Sequence, residues 1–454
     1  MQQARFLQGS ILKHVMTMSV TNAVGLSAIF LVDLVDIYFI SLLNDNHLTA
    51  AIGYASALMF FTTAVSIALV TTNSAKVGKA VGLKNAPLAK RYISHLSLYS
   101  LLTCSFLCVF IWFFTPELLR LIGAEGQVLI EATTYLRIIL PSFPILALAM
   151  QMGATLRSLG DGRRAMYGTL AGSLINAILD PIFIFTFNMD LQGAAIASAI
   201  SRCCVFVIAF YFVCYKYKMF TLPNLSLFKL DISKISLVAI PATLTQIATP
   251  LGNLYVTYEV AKFGTEYVAG WAVIGRLIPV AFSVMFAISG AIGPIISQNY
   301  GALQISRVRA VLNESLKFVF AYTLVISLFL SMSQDHIVTL FNAQAQTAEL
   351  IRIFCQYISI SFIFTGITFV TMAFLNNLGY QKHATLLNLG KVSLGTVPFV
   401  AVGAFYFQAP GILYGQALGT TLFGFISLIT AYKILNTIEN KHKNNTVGSK
   451  SVNK

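Results

Sequence analysis

The chain has 454 residues, 57% of them hydrophobic and 10% charged, with a mean hydropathy of +0.77. Soluble domains carry about 25% charge, so this composition excludes a soluble globular protein and describes a chain that crosses a membrane many times. The net charge of +14 does not call for nucleic acid, because Lys and Arg gather in cytoplasmic loops of such proteins.

The opening MQQARFLQGSILKH has no short apolar core followed by a small-residue cleavage site, so no removable signal peptide is expected. Twelve apolar stretches follow, near 14–43, 48–75, 92–114, 127–152, 165–187, 192–215, 235–261, 267–298, 311–333, 346–374, 384–406 and 411–435. Each meets the requirement of about 20 apolar residues per span. The expected fold is an all-α membrane protein of about twelve transmembrane helices.

The connections alternate in charge. Lys76, Lys79, Lys84, Lys90 and Arg91 follow the second stretch, Arg157, Arg163 and Arg164 the fourth, and Lys216, Lys218, Lys229 and Lys234 the sixth. Arg307 and Arg309 follow the eighth and Lys382 the tenth, whereas the odd connections carry Asp45, Glu117, Glu125, Asp190, Glu266 and Asp335. Even connections and both termini are therefore expected to be cytoplasmic, in a plasma (inner) membrane. The longest basic connection lies at mid-chain. It divides the protein into a six-helix lobe (1–215), a cytoplasmic linker (216–234), a second six-helix lobe (235–435) and a polar tail (436–454) expected to be disordered.

The halves repeat. At an offset of 219 residues, LRSLG (156–160) meets LNNLG (375–379), Gly82 meets Gly301 and Ala50 meets Ala269. Six spans is an even number, so the copies run parallel, related by an axis along the membrane normal. Proteins of this kind place a cavity between the halves and open it to alternate sides.

Three acids interrupt the first half. Asp36 lies nine residues before Asp45, about 13 Å along a helix, and Asp33 is one turn deeper on the same face. Asp180 lies eight residues before Asn188, about 12 Å from the same side, with Asn176 one turn away. A charged carboxylate in hydrocarbon costs roughly 2.5–3.5 kcal/mol, so these acids must face a cavity, be paired, or be protonated. Such a group can take a proton from one side and release it to the other. The 219-residue offset maps Asp33, Asp36, Asn176 and Asp180 onto Gly252, Tyr255, Gly395 and Phe399. A need of the fold alone would appear in both copies, so the acids point to an ion site in the first. The competing structural readings are a helix-stabilising hydrogen bond for Asp33 and extra bonding at the helix distorted by Pro181 for Asp180. Arg202, about 13 Å past Gly193, is either a paired charge holding spans together or a counter-ion in the transport site. Arg276 also lies far from its span's ends, while Lys391 is placed to snorkel toward the cytoplasm.

The six cysteines fall inside apolar segments without a CxxC pair, and the six histidines form no HExxH. The chain also lacks GxSxG. No metal site, no cofactor and no enzymatic constellation is therefore expected.

The stretch LRSLGDGRRAMYGTLAGSLINAILDPIFIF, followed by LQGAAIASAISR, resembles the multidrug and toxic compound extrusion (MATE) family, as does VDIYFISLLNDNHLTAAIG. The likeness extends over essentially the whole chain. It implies two six-helix lobes in a V shape that export drugs against a proton or sodium gradient. The pattern is most similar to the DinF-like branch, whose span-one aspartate and span-five Asn-x-x-x-Asp correspond to Asp36, Asn176 and Asp180, with Ser198 at the small hydroxyl position of span six. Asp33 is an acid beyond that pattern, and the proline that the family's first span often carries before its aspartate is missing from 14–43.

The expected function is secondary active multidrug export by alternating access. Lipophilic, cationic small molecules leave in exchange for H+, in preference to Na+, through a monomer with no nucleic-acid partner. Asp36, Asp180, Asn176 and Asp33 are expected to couple the ion. Asp36, Asn176, Asp180, Ser198 and Arg202 are expected to meet the substrate. The alternatives are a flippase for a lipid-linked precursor, kept open by Arg202 and Arg276, and, from another class, a channel or receptor.

Overall fold

The computed structural model describes residues 4–43, 45–343 and 345–451, and the described residues contain helices and no strand. The spans are α1 (Ile11–Ser41), α2 (Asn46–Gly82), α3 (Ala86–Phe113), α4 (Gly126–Ser158), α5 (Gly162–Thr186) and α6 (Asp190–Lys216). They continue with α7 (Leu225–Ala261), α8 (Thr265–Gly301), α9 (Ile305–Leu340), α10 (Ala345–Leu378), α11 (381–406) and α12 (409–451). Among the described residues, ten stretches are each long and apolar enough to span, and a bent pair, Thr265–Ala281 with Ser283–Gly301, makes an eleventh.

The twelfth comes from dividing Gln381–Asn444. Its 64 residues would run about 96 Å as one helix, against a hydrocarbon core of about 30 Å. Phe407 (φ −129°, ψ 15°) and Gln408 (φ 54°, ψ −141°) leave helical geometry and separate α11 from α12. The 45° bend of α8 follows Pro279, which lacks the N–H its turn requires. Span one needs no such break, since α1 runs unbroken for 31 residues without a proline.

The duplication is written into the element boundaries. Asn46–Gly82 of α2 answers Thr265–Gly301 of α8, and a 3-10 turn at Leu140–Ser142 in α4 answers another at Ser359–Ser361 in α10. Each pair is separated by the same 219 residues.

Two expectations at the helix ends need correction. The mid-chain linker is irregular only around 218–224, because residues 225–234 are the first turns of α7. The tail is helical to Ser451, with 452–454 outside the described residues. Loss of apolar character ends a membrane span, but adding one more residue to an existing helix is cheap.

The chain divides into two compact units whose ends differ from the expected lobes. One is built mainly from Val20–Gln246, the other from Phe6–Ser19 and Ile247 onward. Thus α1 and α7 each contribute to both units. In the first unit Ile40, Leu119, Leu136 and Phe143 form one apolar core. Val77, Ile93, Leu156 and Ile235 form another. Asp231, buried on the first turns of α7, accepts both Arg91 Nε (2.7 Å) and Arg91 Nη2 (2.8 Å) from α3. His95 Nδ1 lies 2.8 Å from the same carboxylate. This two-pronged charged bond fixes the entry of α7.

In the second unit Phe6, Val15 and Met18 pack with Ile288, Ile295, Val311 and Phe374. Phe6 N donates to Gln298 Oε1 (3.2 Å), and Arg307 Nη2 donates to the Phe6 carbonyl (2.8 Å). The same unit carries a glycine seam where α11 meets α12. A Cβ at Gly411, Gly415 or Gly419 would overlap the backbone of Gly403, Phe399 or Gly395 respectively. Spacing of four places the three glycines of α12 on one helix face, the small-residue contact that lets membrane helices touch backbone to backbone.

Candidate ion and substrate site

The acids of the first unit meet at one amide. Asn176 Nδ2 donates to Asp36 Oδ1 (3.1 Å) and to Asp180 Oδ2 (2.7 Å). The spacing of four puts Asn176 and Asp180 on one face of α5, and α1 brings Asp36 to it. Asp180 is fully buried, Asn176 buried and Asp36 half-buried. The second oxygen, Asp180 Oδ1, is buried and accepts no hydrogen bond among the described residues. A buried acceptor left unmade costs about 1–3 kcal/mol, more if charged. The cluster is thus short of one positive charge or one proton.

The helix below the cluster is shaped for it. Pro181 follows Asp180 directly, and residues Ile182–Thr186 form a π-helical turn. Proline removes the donor for the carbonyl four residues earlier, and a π-turn takes up the mismatch. Such turns recur at functional sites.

Asp33, one turn earlier on α1, is exposed, with both Asp36 and Arg202 within electrostatic reach. It takes no part in the amide-centred cluster. Arg202 on α6 forms no ion pair at contact distance among the described residues. Its Nη1 donates to Ser142 Oγ (2.7 Å), and its guanidinium lies 4.4 Å from the centre of the Phe143 ring. The expected ionic partner is therefore replaced by a hydroxyl and an aromatic face, a cation–π contact that tolerates partial burial. Ser198, four residues before Arg202 on α6, is half-buried. It makes no hydrogen bond to the carboxylates among the described residues.

Sequence reasoning missed Tyr135, Ser142 and Phe143. Tyr135 is buried on α4 within electrostatic reach of Asp33, Asp36, Asp180 and Arg202. Ser142 and Phe143 sit where the 3-10 turn passes into the second part of α4. The sequence signal was LPSFP at 140–144, two prolines inside an apolar span.

The second unit closes the equivalent place. The counterparts of Asn176 and Asp180, Gly395 and Phe399, belong to the glycine seam with α12. The same scaffold holds a polar cluster in one copy and a tight backbone contact in the other.

Among proteins of known kind, the MatE family model matches residues 23–182 and 241–402, one stretch in each half. A FAD transporter of Shewanella oneidensis is 27% identical over 440 residues, 95% of this chain and 97% of that one. The multidrug export protein MepA of Staphylococcus haemolyticus is 24% identical over 441 residues, 95% and 96% of the two chains. The crystal structure of the Vibrio cholerae MATE transporter VcmN in its bent form superposes with a TM-score of 0.89 at 23% identity, covering 95% of this chain and 98% of that chain. With its family model matching both halves of a twelve-span duplicated chain, this protein belongs to the MatE family of efflux transporters rather than to any enzyme class.

Proposed function

We propose that this protein exports organic small molecules in exchange for H+, by alternating access, as a monomer of the plasma (inner) membrane. The observation that carries this reading is the pairing of Asp36 and Asp180 across a single amide, with one buried carboxylate oxygen left over. Two carboxylates held this near in a low-dielectric site repel unless a proton or cation lies with them. Asn176 turns its N–H groups, not its carbonyl, toward both acids. That suits carboxylates sharing a proton better than a Na+ ion seeking oxygen ligands.

The substrate class that the acids of the first unit favour is the lipophilic organic cation, in keeping with the MepA relative's name as a multidrug export protein. A second reading, export of a flavin dinucleotide, follows from the name of the Shewanella relative. It is favoured by two bases of the second unit, Arg276 and Lys391, whose side chains have no hydrogen-bond or ion-pair partner among the described residues. The test is efflux from everted vesicles with pH and sodium gradients imposed separately. A pH gradient alone is expected to drive efflux of a fluorescent cation, and transport driven by sodium alone would overturn H+ coupling.

The alternating basic connections support a topology with both termini and the 216–234 linker in the cytoplasm. In a cysteine-free background, a membrane-impermeant thiol reagent added outside whole cells is expected to label Asn46→Cys and to miss Asn224→Cys. The reverse pattern would invert the topology.

A further inference from the structure

A cavity of about 710 Å³ opens in the first unit where α3 and α7 both begin. Asn85 and Asn224, the residues just before the two helices, line it. Asn85 Oδ1 accepts from Leu88 N (3.0 Å) and Asn224 Oδ1 from Leu227 N (3.1 Å). The helices are 28 and 37 residues long. Each start carries a partial positive charge, so the backbone alone makes this place favourable to an anion.

Side chains add to that field. Lys90 lines the cavity, half-buried, with no hydrogen-bond or ion-pair partner among the described residues. Arg91 lines it too. Its Nε and Nη2 are committed to Asp231 (2.7 and 2.8 Å), and its Nη1 has no partner among the described residues. His95, only 1% exposed, is a third lining residue. It spends Nδ1 on the same carboxylate (2.8 Å), while its Nε2 makes no hydrogen bond among the described residues. Asp231 itself is buried outside the lining, which contains no acid. The second copy treats the same place differently. At the 219-residue offset Lys90 becomes Arg309, whose Nε donates to Glu439 Oε1 (2.7 Å). The counterpart of Glu439 is Phe220, a ring packed edge to face against Phe210. The chain supplies the anion in one copy and leaves the base open in the other.

We propose that this cavity binds the headgroup of an anionic phospholipid of the cytoplasmic leaflet. Leu222 of the lining is 89% exposed, and Leu225 and Leu230 on the first turns of α7 are exposed as well. A free phosphate has no use for these side chains, whereas acyl chains cover them. Basic pockets between membrane helices on the cytoplasmic side suit such headgroups. Lys90 supplies a compact charge for the phosphate and Arg91 Nη1 a further donor. A phosphoglycerol headgroup offers a hydroxyl donor and phosphate acceptors, so it satisfies His95 Nε2 in either protonation state of the ring. A lipid seated here fastens α3 to the mid-chain connection, where Thr221 N already donates to Ser94 Oγ (3.1 Å). The choice of leaflet rests on the topology proposed above; binding in detergent does not.

Native mass spectrometry of the purified full chain counts the lipids it retains as dioleoylphosphatidylglycerol or dioleoylphosphatidylcholine is titrated in. The two lipids share their chains, so the comparison isolates the net charge of the headgroup. The unmodified protein is expected to hold phosphatidylglycerol at least about tenfold tighter than phosphatidylcholine, roughly 1.4 kcal/mol. Lys90→Gln is expected to erase that preference while leaving phosphatidylcholine binding unchanged, and Lys90→Arg to keep it. Lys229→Gln, which removes an exposed base outside the lining, is expected to keep it too. Equal affinity of the unmodified protein for both lipids would overturn the proposal, whatever the variants do. An equal loss in Lys90→Gln and Lys229→Gln would also overturn it, as general attraction to a basic surface. Glycerol 3-phosphate, a phosphate without acyl chains, is expected not to displace phosphatidylglycerol at equal concentration. Its displacement of the lipid would assign the cavity to a free phosphate and overturn the proposal. An inverted topology shows separately, in the thiol labelling above, with lipid binding in detergent unchanged.

Discussion

Asp36→Asn is expected to abolish gradient-driven efflux while leaving folded yield and part of substrate binding intact. Asparagine keeps the size of the side chain and can still accept from Asn176 Nδ2, which now lies 3.1 Å from Asp36 Oδ1, but it cannot titrate. The energy at stake is adequate for pumping. A proton crossing 100 mV releases about 2.3 kcal/mol and a pH difference of one unit adds about 1.36 kcal/mol. Their sum, about 3.7 kcal/mol, sustains a gradient of several hundredfold in a neutral solute. A cation exchanged for one proton draws on the pH difference alone. Without the titrating group none of this reaches the substrate, so vesicle efflux is expected to fall to the passive leak, by about a hundredfold. Asp33→Asn is expected to cost much less, because Asp33 is exposed and outside the amide-centred cluster. Efflux by Asp36→Asn at the unmodified rate would move the coupling role to Asp180 or Asp33.

The second large effect lies far from the acids. Gly415→Leu is expected to prevent the second unit from forming. A Cβ at Gly415 overlaps the Phe399 carbonyl group and crowds the Val400 backbone. Backbone cannot swing aside as a flexible side chain can, so α11 and α12 would have to separate along the whole seam. Overpacking a core costs typically 1–3 kcal/mol and occasionally more. A backbone overlap belongs at or above the upper end, about 3 kcal/mol. The measurement is monodisperse yield of a fluorescent fusion on size-exclusion chromatography, with Gly53→Ala as the control. A Cβ at Gly53 meets nothing within 4 Å, and that variant is expected to behave as the unmodified chain. Normal yield from Gly415→Leu would mean that the seam opens at little cost.

Hydropathy made the spans legible, because each must present about 20 apolar residues to lipid whatever its tertiary neighbours. The helix ends were less legible for the same reason. Hydropathy marks where lipid ends, not where the helix does, and so α7 begins at Leu225 well before its apolar stretch. The carboxylates were readable as a group because charge is rare in a span and because the second copy lacked them. The spacing of four set Asn176 beside Asp180 on α5, but the arrival of Asp36 at the same amide depends on how α1 packs. The surroundings of Arg202 were not readable. A guanidinium can be satisfied by an acid, a hydroxyl or a ring. The choice of Ser142 and Phe143 depends on how the turn at Leu140–Ser142 aims α4, which is a matter of packing and not of pattern. The glycines of α12 stood in the sequence at spacing four, but only the opposing Gly395, Phe399 and Gly403 show which helix they touch.

The division of α1 and α7 between the units bears on how such a chain could arise. Val15 and Met18, at the start of the first copy, complete a core made by the second. Ile235, beyond the mid-chain connection, completes a core made by the first. The stretch that was copied and the body that folds therefore have different ends. A single six-span ancestor, cut where the repeat is cut, would have had its opening segment packed into another molecule and a vacancy where its own core should be filled. Two such chains exchanging opening segments repair each other, as in domain swapping. Fusion of their genes would then turn an assembly between chains into one within a chain.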